Sequence, residues 1–199
     1  MIGERFRVWL RVLIDPAADL IARSGISPNA LTVVGAAAHV VVAYLLAEGR
    51  LWSAAWLLLI TSGIDGIDGT LARRTGQVST FGAFLDSSLD RISEILVYLG
   101  LLLYADRQRG GAGIPQTWLV FVALAGSLMV SYIRARSEGV RYPTKAGLLT
   151  RFERMSILWL GLLADRLPWA LGIVAVGAWL TAAQRILDVR RQIRLGPPG

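Results

Sequence analysis

The sequence predicts an all-α integral membrane protein with six transmembrane helices preceded by an N-terminal interfacial amphipathic helix. Three observations predict it. Hydrophobic residues fill 54% of 199 positions, and a mean hydropathy of +0.53 is too high for an ordinary water-facing surface. Apolar stretches approaching the roughly 20 residues that a bilayer core demands alternate with short polar breaks, and about six fit along the chain. The basic residues, which give a formal charge of +7, gather at the ends of those stretches instead of along one face with interleaved aromatics. That placement argues against nucleic acid and leaves phosphate and membrane lipids as partners.

Residues 5–24 set Phe6, Trp9, Leu10, Leu13, Ile14, Ala17, Leu20 and Ile21 at helical spacing among arginines and aspartates, the pattern of an interfacial helix. Asp15-Pro16 is expected to break it, since proline fits a first helical turn and not an interior. Ser27-Pro28-Asn29 then turns and caps the first span, Ala30 to Ala47, which Gly49 and Arg50 close. A second span starts at Leu51 and runs to the polar sequence 62–69. A polar connection with Arg73, Arg74 and Gln77 leads to the third span, Thr80 to Ala105.

Gly110 to Pro115 reads as a loop by its breakers. Span four follows from Thr117 to Arg136, then a polar, basic stretch over 137–151. Span five is Phe152 to Leu163, extended by its flanks, and a turn at Asp165-Arg166-Leu167-Pro168 leads into span six, Trp169 to Leu187. The expected organisation is one membrane domain: a juxtamembrane segment 1–29, a bundle 30–187 and a basic tail 188–199 in which Arg190, Arg191 and Arg194 attract lipid. No cleavable signal peptide is recognised, so the first span is expected to serve as the insertion signal.

Basic residues outside the spans divide sixteen to four between alternate connections. By the positive-inside rule both termini and the polar turn after span two face the cytoplasm, in a plasma-membrane protein. With no cysteine in the chain, disulfides and thiolate metal ligands are excluded, and a metal would need carboxylates.

The chemistry concentrates between spans two and three. Asp65 and Asp68 stand at i,i+3, and Asp86 and Asp90 at i,i+4, so each pair shares a helical face. Two such faces meeting across a hairpin would put four carboxylates in one cleft. Ionised groups next to a membrane cost several kcal/mol unless partnered, and a carboxylate-only set suits a hard ion, Mg²⁺ or Mn²⁺. Two such ions could neutralise a pyrophosphate. Gly69 and Gly82 permit close approach, Ala72 keeps the same surface open, and Arg73 can grip phosphate bidentately.

Asp65, Asp68, Gly69, Ala72, Arg73, Gly82, Asp86 and Asp90 occupy every fixed position of D-x-x-D-G-x-x-A-R-x8-G-x3-D-x3-D. The chain therefore resembles the CDP-alcohol phosphotransferase family, and chance agreement is on the order of 10⁻⁸ over the chain at ordinary residue frequencies. The resemblance implies six transmembrane helices behind a juxtamembrane helix, a homodimer, and transfer of a phosphatidyl group from a CDP-linked lipid to an alcohol with release of CMP. It also implies that Asp65, Asp68 and Asp86 hold a metal pair with Asp90 at its edge, and that Asp90 is the general base. Gly69, Arg73 and Gly82 would contact CDP. Asn29 and Thr32 would join them from Pro28-Asn29-Ala30-Leu31-Thr32, which resembles the family's P-[ND]-x-x-T and could equally be only a helix cap.

Asp90-Arg91-Ile92-Ser93, with Ser87 rather than proline after Asp86, resembles the phosphatidylinositol-phosphate synthase branch. So do Ser131-Tyr132-Ile133-Arg134-Ala135-Arg136-Ser137-Glu138, Arg151-Phe152-Glu153-Arg154 and Gln184-Arg185. In that branch three basic residues hold the acceptor phosphate, which carries over to Arg134, Arg154 and Arg185 as ligands of inositol 1-phosphate. Arg134 stands where lysine is usual, and the segment 139–150 is not similar. Glycerol 3-phosphate or another alcohol remains an alternative acceptor. The non-enzymatic alternative, an ion-conducting bundle, has no need of the glycines or of Ala72-Arg73. His39, the lone histidine, reads as a packed or hydrogen-bonded residue and is assigned no role.

Overall fold

A computed structural model describes residues 19, 21, 22, 25–107 and 116–196. The interfacial helix over 5–24, its break at Asp15-Pro16 and the Gly110 to Pro115 loop lie outside the described residues, apart from helical positions 19, 21 and 22. Among the described residues the chain forms long helices and no strand: α1 (Pro28–Ala47), α2 (Leu51–Arg74), α3 (Thr80–Arg107), α4 (Gln116–Gly139), α5 (Arg151–Leu163) and α6 (Leu167–Leu195).

Local chemistry sets the helix starts. Ser27 caps α1, its Oγ accepting from Ala30 N at 3.2 Å, and Pro28 takes the first helical position, where a missing N–H costs nothing. Ser79 does the same for α3, accepting from Gly82 N at 2.9 Å. Thr150 and Glu153 form a reciprocal capping box on α5. The α1–α2 turn passes through Gly49 at φ 74°, a left-handed conformation suited to glycine.

Two boundaries differ from the sequence expectation. Residues 65–74 are the last turns of α2, not a polar connection, and only 75–79 link α2 to α3. Gly66 and Gly69 lower helix propensity without breaking the hydrogen-bond ladder, and the chain first turns at Gly76, φ 67°. Past Leu187 the chain stays helical to Leu195, so Arg190, Arg191 and Arg194 are exposed positions on α6. Arginine is a good helix former and no breaker intervenes before Gly196.

Among the described residues, three helices are long and apolar enough to cross a membrane: α1, α4 from Thr117, and α6. In α2 the aspartates and Arg73-Arg74 dilute one half, and in α3 Asp86, Asp90, Arg91 and Glu94 do. Helix α5 has 13 residues, about 20 Å of helix against a hydrocarbon core of about 30 Å.

The chain divides into two compact units, one of residues 1–45 and 53–97, the other of 46–52 and 98–199. In the first, Val42 of α1, Ala55, Leu58 and Leu71 of α2 and Val97 of α3 are buried. His39 is buried as well; its Nδ1 lies 2.9 Å from Gly35 O and its Nε2 3.4 Å from Thr61 Oγ1, contacts to α1 itself and to α2. In the second unit α6 packs along α4 and against α5. Gly161 lets α5 and α6 touch closely, since a Cβ there would come within 2.3 Å of Ala170 Cβ. Large apolar side chains point outward in both units, among them Val34, Tyr44, Phe121 and Val176. Such a surface suits lipid as its solvent. Trp52, Trp118 and Trp169, all exposed, stand in the first turns of their helices, the usual level of an aromatic belt.

Candidate active site

The last turns of α2 and the first turns of α1 and α3 surround a cavity of about 280 Å³ within the first unit. Asn29 and Thr32 line it from α1, Asp68, Gly69, Ala72 and Arg73 from α2, and Gly82 and Asp86 from α3. Thr32 Oγ1 donates to Asp68 Oδ2 at 2.7 Å and also lies 3.0 Å from Pro28 O. One hydroxyl hydrogen cannot serve both acceptors fully, and the shorter contact to a carboxylate is the stronger bond. The Gly69 amide donates to the other Asp68 oxygen. Asp68 is thus buried with both oxygens oriented by the backbone and by α1.

Gly82 is tight. A Cβ at this position would come within 3.0 Å of Ser79 Oγ and 3.1 Å of Asn29 Oδ1, so the missing side chain lets α3 approach α1 while leaving the cavity open. Arg73 is exposed at the rim, with Nη2 donating to Thr70 Oγ1 at 3.1 Å.

Two of the expected aspartates do not line the cavity. Asp65 lies against Gly35 of α1, where a Cβ would come within 3.1 Å of Asp65 Oδ1. Asp90 is one turn deeper in α3 and is bound by Arg91 Nη2 at 3.2 Å. Asp86 and Asp65 still act on Asp68 as nearby like charges. Among the described residues no three carboxylates stand at metal-ligating spacing. Gln77, Val78, Ser79 and Ala83 also line the cavity and were missed by the sequence reading. Ser79 had a legible signal, a serine three residues before Gly82 at the start of an apolar run.

The second unit gathers the arginines. Arg134 on α4 is exposed and pairs with Glu138 one turn on, Nε to Oε1 at 3.2 Å. Arg154 on α5 is completely buried and donates from Nη1 to Leu149 O at 3.3 Å. Arg185 is buried too, donating from Nε to Ala146 O at 2.9 Å and from Nη1 to Val130 O at 2.6 Å. It stands well inside α6 rather than at its end. Arg134 and Arg154 both act on Arg185 as like charges. Glu138 acts on Arg185 as well and offsets part of that repulsion, so three guanidiniums, two of them buried and each held on a carbonyl, carry a surplus of positive charge that suits an anion.

Comparison with known proteins gives this arrangement its context. Residues 25–189 match the family model for CDP-alcohol phosphatidyltransferase. The chain is 33% identical over 194 residues to the archaetidylinositol phosphate synthase of Pyrococcus horikoshii, covering 97% of this chain and 99% of that one. It is 34% identical over 199 residues to the phosphatidylinositol phosphate synthase of Corynebacterium glutamicum, covering 94% and 88%. Among solved structures, the Mycobacterium tuberculosis phosphatidylinositol phosphate synthase in complex with manganese and citrate is similar at a TM-score of 0.83 and 29% identity, over 89% of this chain and 88% of that one. The same protein with CDP-DAG bound gives a TM-score of 0.80 at 31% identity, over 88% and 92%. With six of the eight motif residues lining one cavity and the family model matching residues 25–189, the chain belongs to the CDP-alcohol phosphatidyltransferase family.

Proposed function

We propose that this chain transfers a phosphatidyl or archaetidyl-type group from a CDP-linked lipid to the hydroxyl of inositol 1-phosphate, releasing CMP. One observation carries the nucleotide half: Asn29, Thr32, Asp68, Gly69, Arg73, Gly82 and Asp86, drawn from three helices, line a single cavity. In this reading Asn29, Thr32, Gly69, Arg73 and Gly82 bind the CDP moiety. Arg73 supplies charge-assisted hydrogen bonds to phosphate, and the two glycines let the nucleotide approach the backbone.

Asp65, Asp68, Asp86 and Asp90 offer oxygen donors only, the donor type that Mg²⁺ or Mn²⁺ takes; they do not stand at ligating spacing here, and a cation drawing them together would relieve the like-charge influence of Asp86 and Asp65 on Asp68. Such ions, when bound, neutralise charge on the pyrophosphate. Asp90 takes the proton of the acceptor hydroxyl as that oxygen attacks the lipid-side phosphorus, and the phosphorus–oxygen bond to CMP breaks. The manganese and CDP-DAG complexes of the M. tuberculosis relative support a divalent metal and a CDP-linked lipid as ligands of this chain.

The like-charged set Arg134, Arg154 and Arg185 favours a phosphorylated acceptor, and the inositol-phosphate names of the relatives favour inositol 1-phosphate over glycerol 3-phosphate. In the membrane we infer six crossings behind an interfacial helix, both termini and the aspartate turn on the cytoplasmic side, and a homodimer. An acceptor screen decides between the alcohols. Protein purified with CDP-diacylglycerol and Mn²⁺ is expected to release CMP with inositol 1-phosphate. Equal or better turnover with glycerol 3-phosphate or free inositol would overturn the acceptor, and no metal-dependent CMP release with any alcohol would overturn the whole reading.

A further inference from the structure

Thr144 lies in the connection between α4 and α5, has no part in the chemistry above, and is nonetheless buried. Residues 143–150 are tied to α6 as a strap. Thr144 Oγ1 donates to Asp188 Oδ2 at 2.6 Å and accepts from Ala146 N at 3.2 Å. Gln192 Nε2 reaches both Asp188 Oδ2, at 2.9 Å, and Pro143 O, at 3.2 Å. At the far end Leu149 N donates to Thr181 Oγ1 at 3.0 Å. Gly147, at φ 129°, lies so close to α6 that a Cβ would come within 2.2 Å of Thr181 Cγ2.

The strap presents two carbonyls to two buried cations. Ala146 O receives Arg185 Nε at 2.9 Å, and Leu149 O receives Arg154 Nη1 at 3.3 Å. A planar guanidinium aims its remaining N–H groups according to the acceptors it already holds; Val130 O of α4 holds Arg185 as well, and the strap carbonyls fix a further donor of each arginine and so take part in setting where the two point.

We propose that Thr144 and Asp188 are positioning residues for the acceptor site: by fixing the strap on α6 they set the Ala146 and Leu149 carbonyls that orient Arg185 and Arg154 toward an acceptor phosphate. The inference rests on the acceptor reading given above. A strap that served only to close the chain would affect stability alone. A strap that aims the arginines affects acceptor affinity selectively, and a hydroxyl at position 144 suffices for it.

The test uses the full chain in lipid and compares Thr144→Val, Thr144→Ser and Asp188→Asn with the parent, with Arg134→Ala marking the acceptor site itself. The KM for inositol 1-phosphate is expected to rise at least about fivefold in Thr144→Val and Asp188→Asn, with the CDP-diacylglycerol KM unchanged and Thr144→Ser close to the parent. An unchanged acceptor KM in both variants, a parallel rise in both KM values, or Thr144→Ser behaving like Thr144→Val would overturn the inference. Gln192→Ala, a milder cut in the same anchor, decides the matter if Thr144→Val does not fold. If Arg134→Ala raises the acceptor KM and the strap variants do not, only the strap inference fails. If Arg134→Ala leaves it unchanged, the acceptor reading fails and takes the inference with it. If the parent prefers glycerol 3-phosphate, the same KM comparison is made with that acceptor.

Discussion

Removal of the Thr32 hydroxyl tests whether α1 shapes the carboxylate centre or merely neighbours it. Thr32 Oγ1 is 2.7 Å from Asp68 Oδ2, and both residues are buried. Hydrogen bonds to a charged group contribute about 1.5–3 kcal/mol, and Thr32→Val is nearly isosteric, so the loss is almost purely that of the bond. Asp68 keeps its contact with the Gly69 amide, and a bound cation would restrain it further. The lower end of the range therefore applies, about tenfold in an equilibrium constant at roughly 1.4 kcal/mol per decade. The assay is the Mn²⁺ dependence of CMP release at saturating acceptor. Thr32→Val is expected to need about ten times more metal for half-maximal activity, and Thr32→Ser, which keeps the hydroxyl, to resemble the parent. A folded Thr32→Val with an unchanged metal requirement would refute the argument, as would Thr32→Ser failing as badly.

Other consequences are open to measurement. Asp90→Asn is expected to bind CDP-lipid normally and to lose at least about 100-fold in transfer rate, because an amide cannot take the acceptor proton; single-turnover CMP release beside an equilibrium binding measurement separates the two. Gly82→Ala places a methyl 3.0 Å from Ser79 Oγ and 3.1 Å from Asn29 Oδ1, so the KM for CDP-lipid should rise about fivefold while the acceptor KM stays put. The chain has no cysteine, so single cysteines at Thr75 and Lys145 can be labelled cleanly; both should react from the cytoplasmic face, and labelling only from outside would reverse the topology. Arg185→Lys should cost more than tenfold in kcat/KM for a phosphorylated acceptor and Arg134→Lys much less, because Arg185 engages Val130 O and Ala146 O at once whereas Arg134 makes one exposed ion pair.

Helix positions were legible because they depend on local chemistry. Ser27-Pro28 marks its helix start in the sequence itself and caps α1 in the structure, whereas Ser79, the cap of α3, carries the same signal and went unread. Helix ends were less legible where apolarity and helicity part company. Residues 65–74 and 188–195 are polar, which ends an apolar span without ending a helix, and neither stretch contains a proline that would break one. The aspartate spacing likewise told part of the story. An i,i+3 pair is about 60° apart around a helix and an i,i+4 pair about 6 Å apart along it, which is enough to put Asp65 against Gly35 and Asp90 below the cavity while Asp68 and Asp86 line it. The strap was not legible at all. Thr144 and Asp188 are 44 positions apart, and no local pattern joins a threonine in a loop to an aspartate on a helix.

Asp68 and Arg185 hold buried charge by different means. Asp68 is held by neutral donors, Thr32 and the Gly69 amide, with glycine at 69 and 82 keeping the space in front of it open. That arrangement leaves carboxylate lone pairs facing the cavity, which is what a hard cation requires. Arg185 is held by main-chain carbonyls, with no carboxylate among the hydrogen bonds that fix it. A carboxylate partner would neutralise the guanidinium and compete with any anionic ligand. A carbonyl contributes only a dipole, so it orients the group and leaves its charge available. The difference argues against plain structural anchoring for Arg185, because a buried cation whose sole task was packing would be better stabilised by a directly bound acid than by two carbonyls, with Glu138 acting on it without a hydrogen bond and two further arginines nearby.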